Sequence, residues 1–160
     1  MNKLISLLPF LSILLILGTT SCKKKCVIEK EDVNGGSIIS DVIFYPSAGY
    51  MTSSMGGNYV IDASHPYANE IQIGFAQGAK APVNYSNYTV LCYPTTAKCD
   101  AAYDRTVTID NTLGTVMYKI VVTQCKNSNC EETRSIENYV LVPTFPASYL
   151  VYYDVSYVEK

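Results

Sequence analysis

The chain has 160 residues, of which 48 % are apolar, and carries 12 Lys and Arg against 14 Asp and Glu. This length is that of one domain. Four of the lysines precede Cys26 and every acid follows it, so the body of the chain has a net charge of 8 − 14 = −6. A body of this sign is poorly suited to phosphate backbones, and we expect no nucleic-acid partner.

The amino terminus begins with an uncharged apolar run from Leu4 to Gly18. At about fifteen residues, the run suits the core of a signal peptide better than a membrane-spanning helix of about twenty. Small residues then lead into Cys22 in the stretch LGTTSC. This stretch resembles the lipobox of bacterial lipoproteins, with Thr19 where leucine is usual. The resemblance implies a signal peptide over residues 1–21, cleavage after Ser21 and an acylated Cys22; an ordinary cleaved signal peptide is the alternative.

A basic segment follows the predicted cleavage site. Lys23 to Lys25 would lie at the level of the lipid headgroups, where anionic lipids attract each basic residue by about 1 kcal/mol. The stretch VIEKEDVNGG (27–36) is charged and has no sustained period, so we expect residues 22–36 to form a lipidated tether and linker. Lipoproteins exported to the cell surface resemble one another in placing acids directly after the acylated cysteine. Here the first acid is Glu29, which implies an outer-membrane protein that faces the periplasm.

Residues 37–160 are dominated by period-two alternation, which indicates β-strands. The alternation is cleanest in EIQIGFAQ, RTVTID and YLVYYDVSYV. Turn signals such as MGGN, DNTLG and KNSNC separate the runs. The predicted strands are 37–45, 58–63, 70–77, 87–93, 105–110, 115–125, 138–142 and 149–158.

This pattern predicts one all-β domain over residues 37–160. Seven to nine short strands at regular spacing favour an antiparallel β-sandwich of immunoglobulin-like architecture, with a small β-barrel as the alternative. The best candidate for a helix is TTAKCDAAYD, residues 95–104.

Five cysteines remain after Cys22, in a compartment that oxidises thiols. Cys92 and Cys99 enclose six residues, and Cys125 and Cys130 enclose four. We expect these two local disulfides, with Cys26 outside them. A disulfide between Cys92 and Cys125 is the competing pairing.

Residues that could carry catalysis or hold a metal are scarce. Only Cys125 and Cys130 approach the spacing of zinc ligands, and His65 is the single histidine. The chain lacks the motifs of serine hydrolases, zinc proteases, phosphate-binding loops and calcium loops. We therefore expect neither a metal nor a cofactor, and no enzymatic activity.

The remaining hypotheses concern binding. In the first, the domain is an interaction or structural subunit of the cell envelope that docks onto a protein partner by a sheet edge or a loop face. In the second, it binds a glycan or a small ligand through loop tyrosines, since tyrosine offers both a stacking face and a hydroxyl. We expect Tyr85, Tyr88 and Tyr103 to be the surface anchors in either case.

Overall fold

The computed structural model describes Cys26, Ile28 and residues 32–48, 57–75, 78–126, 130 and 132–160. These residues form ten strands and one 3-10 turn, Ala68–Glu70. The strands are β1 (Val33–Gly36), β2 (Val42–Pro46), β3 (Tyr59–Ile61), β4 (Ile71–Phe75), β5 (Ala81–Pro82), β6 (Tyr88–Lys98), β7 (Ala102–Asp110), β8 (Thr115–Gln124), β9 (Thr133–Pro143) and β10 (Leu150–Glu159). The all-β prediction is confirmed, and no helix in the described ranges is long and apolar enough to cross a membrane.

The strands form three sheets. The outer sheet has the order β1-β7-β8-β10, the middle sheet β3-β6-β9 and the small sheet β2-β4-β5. The middle and small sheets are antiparallel throughout, whereas the outer sheet has parallel edges: β1 runs parallel to β7, and β10 runs parallel to β8. None of the three closes on itself in the described part of the chain.

The middle sheet is covered on both faces. Leu91 and Val140 pack with Val107 and Tyr118 of the outer sheet in a first core. Their neighbours along the middle strands point the other way, into a second core that includes residues of the small sheet. The stack is therefore the predicted β-sandwich, with the small sheet as a third layer. It also explains why VLC in β6 and YVLV in β9 are unbroken apolar runs, because a strand buried on both faces needs no alternation.

A buried polar network joins the outer and middle sheets. The Asn138 side chain, 1 % exposed, accepts a hydrogen bond from Arg105 Nε at 2.9 Å and donates to Thr95 Oγ1 at 2.9 Å. Its amide nitrogen also donates to the carbonyls of residues 93 and 136. Arg105 Nη1 completes the network with Asp32 Oδ2 at 3.0 Å. The partly buried guanidinium is thus both paired and hydrogen-bonded, which offsets the cost of removing its charge from water.

The segment predicted as linker contains a strand instead. β1 forms a parallel ladder with β7, and Asp32 just before it accepts a hydrogen bond from the Tyr103 amide at 3.0 Å. Gly36 ends the strand with φ at 69°, and a Cβ there would lie 2.1 Å from the carbonyl oxygen of Val107. Gly36, one of the two glycines that suggested a linker, is therefore required for close packing of β1 on β7.

The predicted helix over residues 95–104 is also wrong. β6 continues to Lys98, a turn follows at Cys99 and Asp100, and β7 starts at Ala102. Thr95 and Ala97 are buried while the residue between them is exposed, which is the period of a strand. Pairing of this half of β6 with β9 overrides the local preference.

Both predicted disulfides are wrong as well. Cys92 lies inside β6, seven residues before Cys99, which places the two about 23 Å apart at 3.3 Å per residue. A disulfide needs its Cα atoms within about 7 Å. The structure instead joins Cys26 to Cys125 and Cys99 to Cys130, with Cα separations of 5.8 Å and 5.9 Å. Cys92 is a buried thiol outside both bonds.

The strand pairing accounts for these two bonds. β1 is parallel to β7 and β7 is antiparallel to β8, so the chain before β1 meets the end of β8, where Cys125 lies. The last pair of the β6 and β9 ladder, Lys98 with Thr133, brings Cys130 to Cys99. The competing pairing of Cys92 with Cys125 is not formed either.

Candidate functional site

The three tyrosines predicted as surface anchors do not form a patch. Tyr103 is only 4 % exposed and packs in the first core, where burial raises the pKa of its phenol. Tyr85 and Tyr88 pack against the second core, on the opposite side of the middle sheet. Tyr103 was therefore predicted wrongly as a surface residue.

Tyr85 is held in place by its hydroxyl. The hydroxyl donates to the carbonyl oxygen of Ala68 at 3.1 Å. Burial, assisted by the negative charge of Asp62, raises the pKa of Tyr85 to about 12. This side chain therefore secures the loop before β6 to the 3-10 turn.

The predicted lipidation site, Cys22, lies outside the described residues. Within those residues, no group of three or more His, Cys, Asp and Glu side chains could hold a metal ion. His65 is half-buried beside Tyr59 and Tyr67, and its Nδ1 accepts a hydrogen bond from the Tyr67 amide at 3.2 Å. Burial lowers the pKa of the imidazole, although Asp62 opposes the shift.

Exposed apolar side chains concentrate on β10. Leu150, Tyr152, Tyr157 and Val158 are all large apolar side chains with exposures between 44 % and 60 %. Tyr152 and Val158 lie on the outer face of the strand, opposite Met117 and Thr123 of β8. Tyr153 and Val155 point the other way and pack against the first core.

One long edge of β10 has no strand beside it in the part of the chain that the structure describes. Leu150 N donates to Gly114 O and Lys160 N donates to Gln124 O, both at 3.0 Å. Even-numbered residues of β10 therefore direct their backbone groups towards β8. In a parallel ladder the alternate residues point the other way. The odd-numbered residues, from Val151 to Glu159, thus present their N–H and C=O groups along the open edge.

The other long edge strand, β9, is better protected. The amide of Ile39 donates to Leu141 O at 2.8 Å, which covers part of that edge, and Arg134 lies in its exposed half. β2 ends at Pro46. Charges, proline and covering segments are the usual means by which proteins block exposed edges. β10 has no proline, glycine or lysine between Leu150 and Glu159, and Asp154 is the one charge in its interior.

A groove of about 370 Å³ runs beside the start of β10, where this edge passes over β3 of the middle sheet. The Tyr153 hydroxyl donates to Tyr59 O at 3.0 Å and so connects β10 of the outer sheet to β3 of the middle sheet. The groove is lined by Val60, Asp62, Thr89, Phe145, Ala147, Tyr149, Leu150 and Val151. Its volume falls in the range of small-molecule sites.

Aromatic and acidic side chains form the wall and the rim of this groove. The rings of Phe145 and Tyr149 stack with centroids 6.2 Å apart, and the Tyr149 hydroxyl donates to Asn111 Oδ1. Hydrogen bonds from Ser64 lower the pKa of Asp62, which is the carboxylate of the groove. The groove therefore combines an aromatic surface with a negative charge.

Sequence reasoning identified β10 as an alternating strand but not as an edge. The alternation of Val151, Tyr153, Val155 and Tyr157 predicted the inward face, on which the first three pack against the first core while Tyr157 is exposed. The absence of proline, lysine and glycine was the available signal, but it becomes informative only when the strand is known to lie at the side of a sheet.

No family model, no curated protein and no solved structure matches this chain.

Proposed function

We propose that this chain is a membrane-anchored extracytoplasmic lipoprotein of the outer membrane that faces the periplasm and acts as a non-catalytic interaction subunit of the cell envelope. The observation that carries the docking role is the open edge of β10, which offers ten residues of strand and four exposed apolar side chains. An edge of this kind binds another strand through its backbone and gains specificity from alternate side chains.

The disulfide at Cys26 supports the anchoring role, because it connects the tether directly to the folded domain. Cys26 follows Cys22 by four positions, so their Cα atoms can lie at most about 14 Å apart. Cys26 is bonded to Cys125 at the end of β8, and Lys126 N donates to Lys160 O beside it. The lipid would therefore attach near the ends of β8 and β10. Two or more acyl chains suffice for lasting attachment.

Replacement of the predicted lipidated residue tests the anchor. Wild type should partition with membranes as a chain of 160 − 21 = 139 residues that carries the mass of acyl chains. Cys22→Ser should be recovered unprocessed or soluble. A soluble wild type with an unmodified amino terminus would contradict the lipoprotein assignment.

Site-specific crosslinking in intact envelopes tests the docking role. A photoreactive phenylalanine analogue in place of Tyr152, on the outer face of β10, should capture a protein in high yield. The same analogue in place of Leu113, which is 74 % exposed in the turn between β7 and β8, is the control for non-specific capture. Equal capture at both positions, or none at Tyr152, would refute docking at this edge.

Ligand binding in the groove is a second candidate function, favoured by the stacked Phe145 and Tyr149 beside Asp62. Such a surface suits a glycan, which stacks on aromatic faces and accepts or donates hydrogen bonds. A screen of envelope polysaccharides should then return a ligand whose binding Phe145→Ala abolishes and Tyr85→Ala preserves. A screen that finds no ligand would contradict ligand binding in the groove.

A further inference from the structure

We infer that the partner at the open edge of β10 is a second copy of this chain, with the two β10 strands paired antiparallel about Val155. The inference rests on the proposed docking role of β10 and names its partner. It would fuse the two outer sheets into one continuous sheet across a twofold axis, the commonest symmetry of protein dimers.

The backbone of β10 is compatible with this register. Pairing about Val155 places Val151 opposite Glu159 and Tyr153 opposite Tyr157 of the second copy. All of these are odd-numbered residues, whose backbone groups point along the open edge. In an antiparallel pair, opposed residues of this kind exchange two hydrogen bonds each. Every outward N–H and C=O group from Val151 to Glu159 then has a partner.

The side chains of the outer face complement one another in the same register. Tyr152 lies opposite Val158, so the two exposed apolar side chains cover each other. Asp154 lies opposite Ser156, so no like charges lie directly opposite each other, and the two Asp154 residues are diagonal neighbours about 7 to 8 Å apart. Aromatic and β-branched residues opposite each other stabilise a strand pair.

The neighbouring registers of this strand pair would be less stable. A shift that centres the pair on Asp154 brings the two Asp154 carboxylates face to face, and like charges directly opposite are destabilising. A shift that centres it on Ser156 shortens the overlap and leaves Leu150 and Val151 without partners. Self-complementarity over the whole strand therefore favours the register about Val155 and a second copy as the occupant.

The anchor permits this arrangement. The twofold axis of two antiparallel strands in one sheet is perpendicular to that sheet. The two Cys26 residues, each near the end of its own β10, then lie at opposite ends of the strand pair but at equal height along the axis. Both lipids can enter one membrane if the fused sheet lies parallel to the bilayer.

Engineered disulfides test the register in the full chain purified in detergent. Residues 154 and 156 would form a non-hydrogen-bonded pair with Cα atoms about 4.5 Å apart, within disulfide range. The double variant Asp154→Cys/Ser156→Cys should therefore form a covalent dimer under a mild oxidant. Each single variant should not, because its cysteine would face its own copy diagonally at about 7 to 8 Å. A dimer of the Asp154→Cys or Ser156→Cys single variant alone would overturn the register.

A proline at the centre of the edge tests the pairing itself. The Val155 N–H points away from β8, so Val155→Pro removes no hydrogen bond of the β8 ladder but blocks strand addition. It removes both hydrogen bonds at the twofold axis, and dimer affinity should fall on the order of a hundredfold in sedimentation analysis. Val155→Ala retains the N–H and should retain the dimer. The cysteine experiment stays decisive if the proline variant does not fold.

The outcomes separate this inference from the proposed function. If wild type is monomeric and the cysteine pair does not crosslink, but Tyr152 captures a different protein in envelopes, the self-pairing is wrong and the docking edge stands. If Tyr152 captures nothing and no dimer forms, both are wrong. A covalent dimer of the double variant only, together with a monomeric Val155→Pro, is the expected result.

Discussion

The two disulfides should account for a large part of the stability of this domain. The bond from Cys26 to Cys125 closes 99 residues and the bond from Cys99 to Cys130 closes 31. The loss of loop entropy in the unfolded chain then stabilises the fold by about 4.7 and about 3.7 kcal/mol respectively. A domain is typically stable by about 5 to 15 kcal/mol, so the loss of either bond should be severe.

We expect the double variant Cys26→Ala/Cys125→Ala to lower the free energy of unfolding by about 4 to 5 kcal/mol in urea titrations under oxidising conditions. A reductant should have a similar or larger effect on wild type. Cys92→Ala is the control, because Cys92 lies outside both bonds and its variant should respond to reductant as wild type does. A peptide that joins Cys92 to Cys99, or Cys125 to Cys130, in a non-reducing digest would refute this reasoning.

Three other predictions concern the core and the turns. Asn138→Leu should cost about 3 kcal/mol in the same titration, since it removes the hydrogen bonds of the side chain to its four partners, and a cost below about 1 kcal/mol would contradict the network. The exposed Asn87→Ala is its control and should stay within about 0.5 kcal/mol. Gly36→Ala should lower the free energy of unfolding by at least about 2 kcal/mol, because the residue has a positive φ and a carbonyl oxygen lies beside it. Gly35→Ala, whose added Cβ would lie 3.5 Å from its nearest atom, should stay within about 1 kcal/mol, and equal losses would show that β1 is not packed on β7 as described. Burial lowers the pKa of His65, so the imidazole binds a proton more readily in the unfolded chain and stability should decline as pH falls below about 6.5. His65→Gln should reduce the change of melting temperature between about pH 7.5 and pH 5, and an unchanged pH dependence would contradict the burial.

Local patterns predicted most of the sheet. Each of the eight predicted strands overlaps an observed one, because the alternation in stretches such as Ile71 to Phe75 reports directly which face is buried. The two additional strands, β1 and β5, are short and contain glycine or proline, and they are defined by their ladders with β7 and β4 rather than by alternation of their own. No local signal distinguishes such segments from a loop.

The disulfide pairing and the exposure of the candidate site residues could not be predicted for the same reason: both depend on the order of the strands in the sheets. Cys92 and Cys99 were predicted to close a short loop because only six residues lie between them, but β6 contains Cys92 and stays extended as far as Lys98. Tyr103 follows two alanines and looked like a loop residue, although β7 buries it. Both errors arise because long-range strand pairing decides what is extended and what is exposed, and a sequence without the sheet order cannot supply it.

Amide hydrogen exchange along β10 in isolated envelopes tests the docking edge most directly. The amides of Val151, Tyr153 and Tyr157 point away from β8, so they are protected only if another strand covers that edge. We expect these amides to exchange slowly in wild type and much faster in Val155→Pro, with the amides of Tyr152 and Asp154 slow in both because β8 holds them. Equally fast exchange of the outward amides in wild type and in Val155→Pro would contradict the proposal that β10 is the docking edge of this protein.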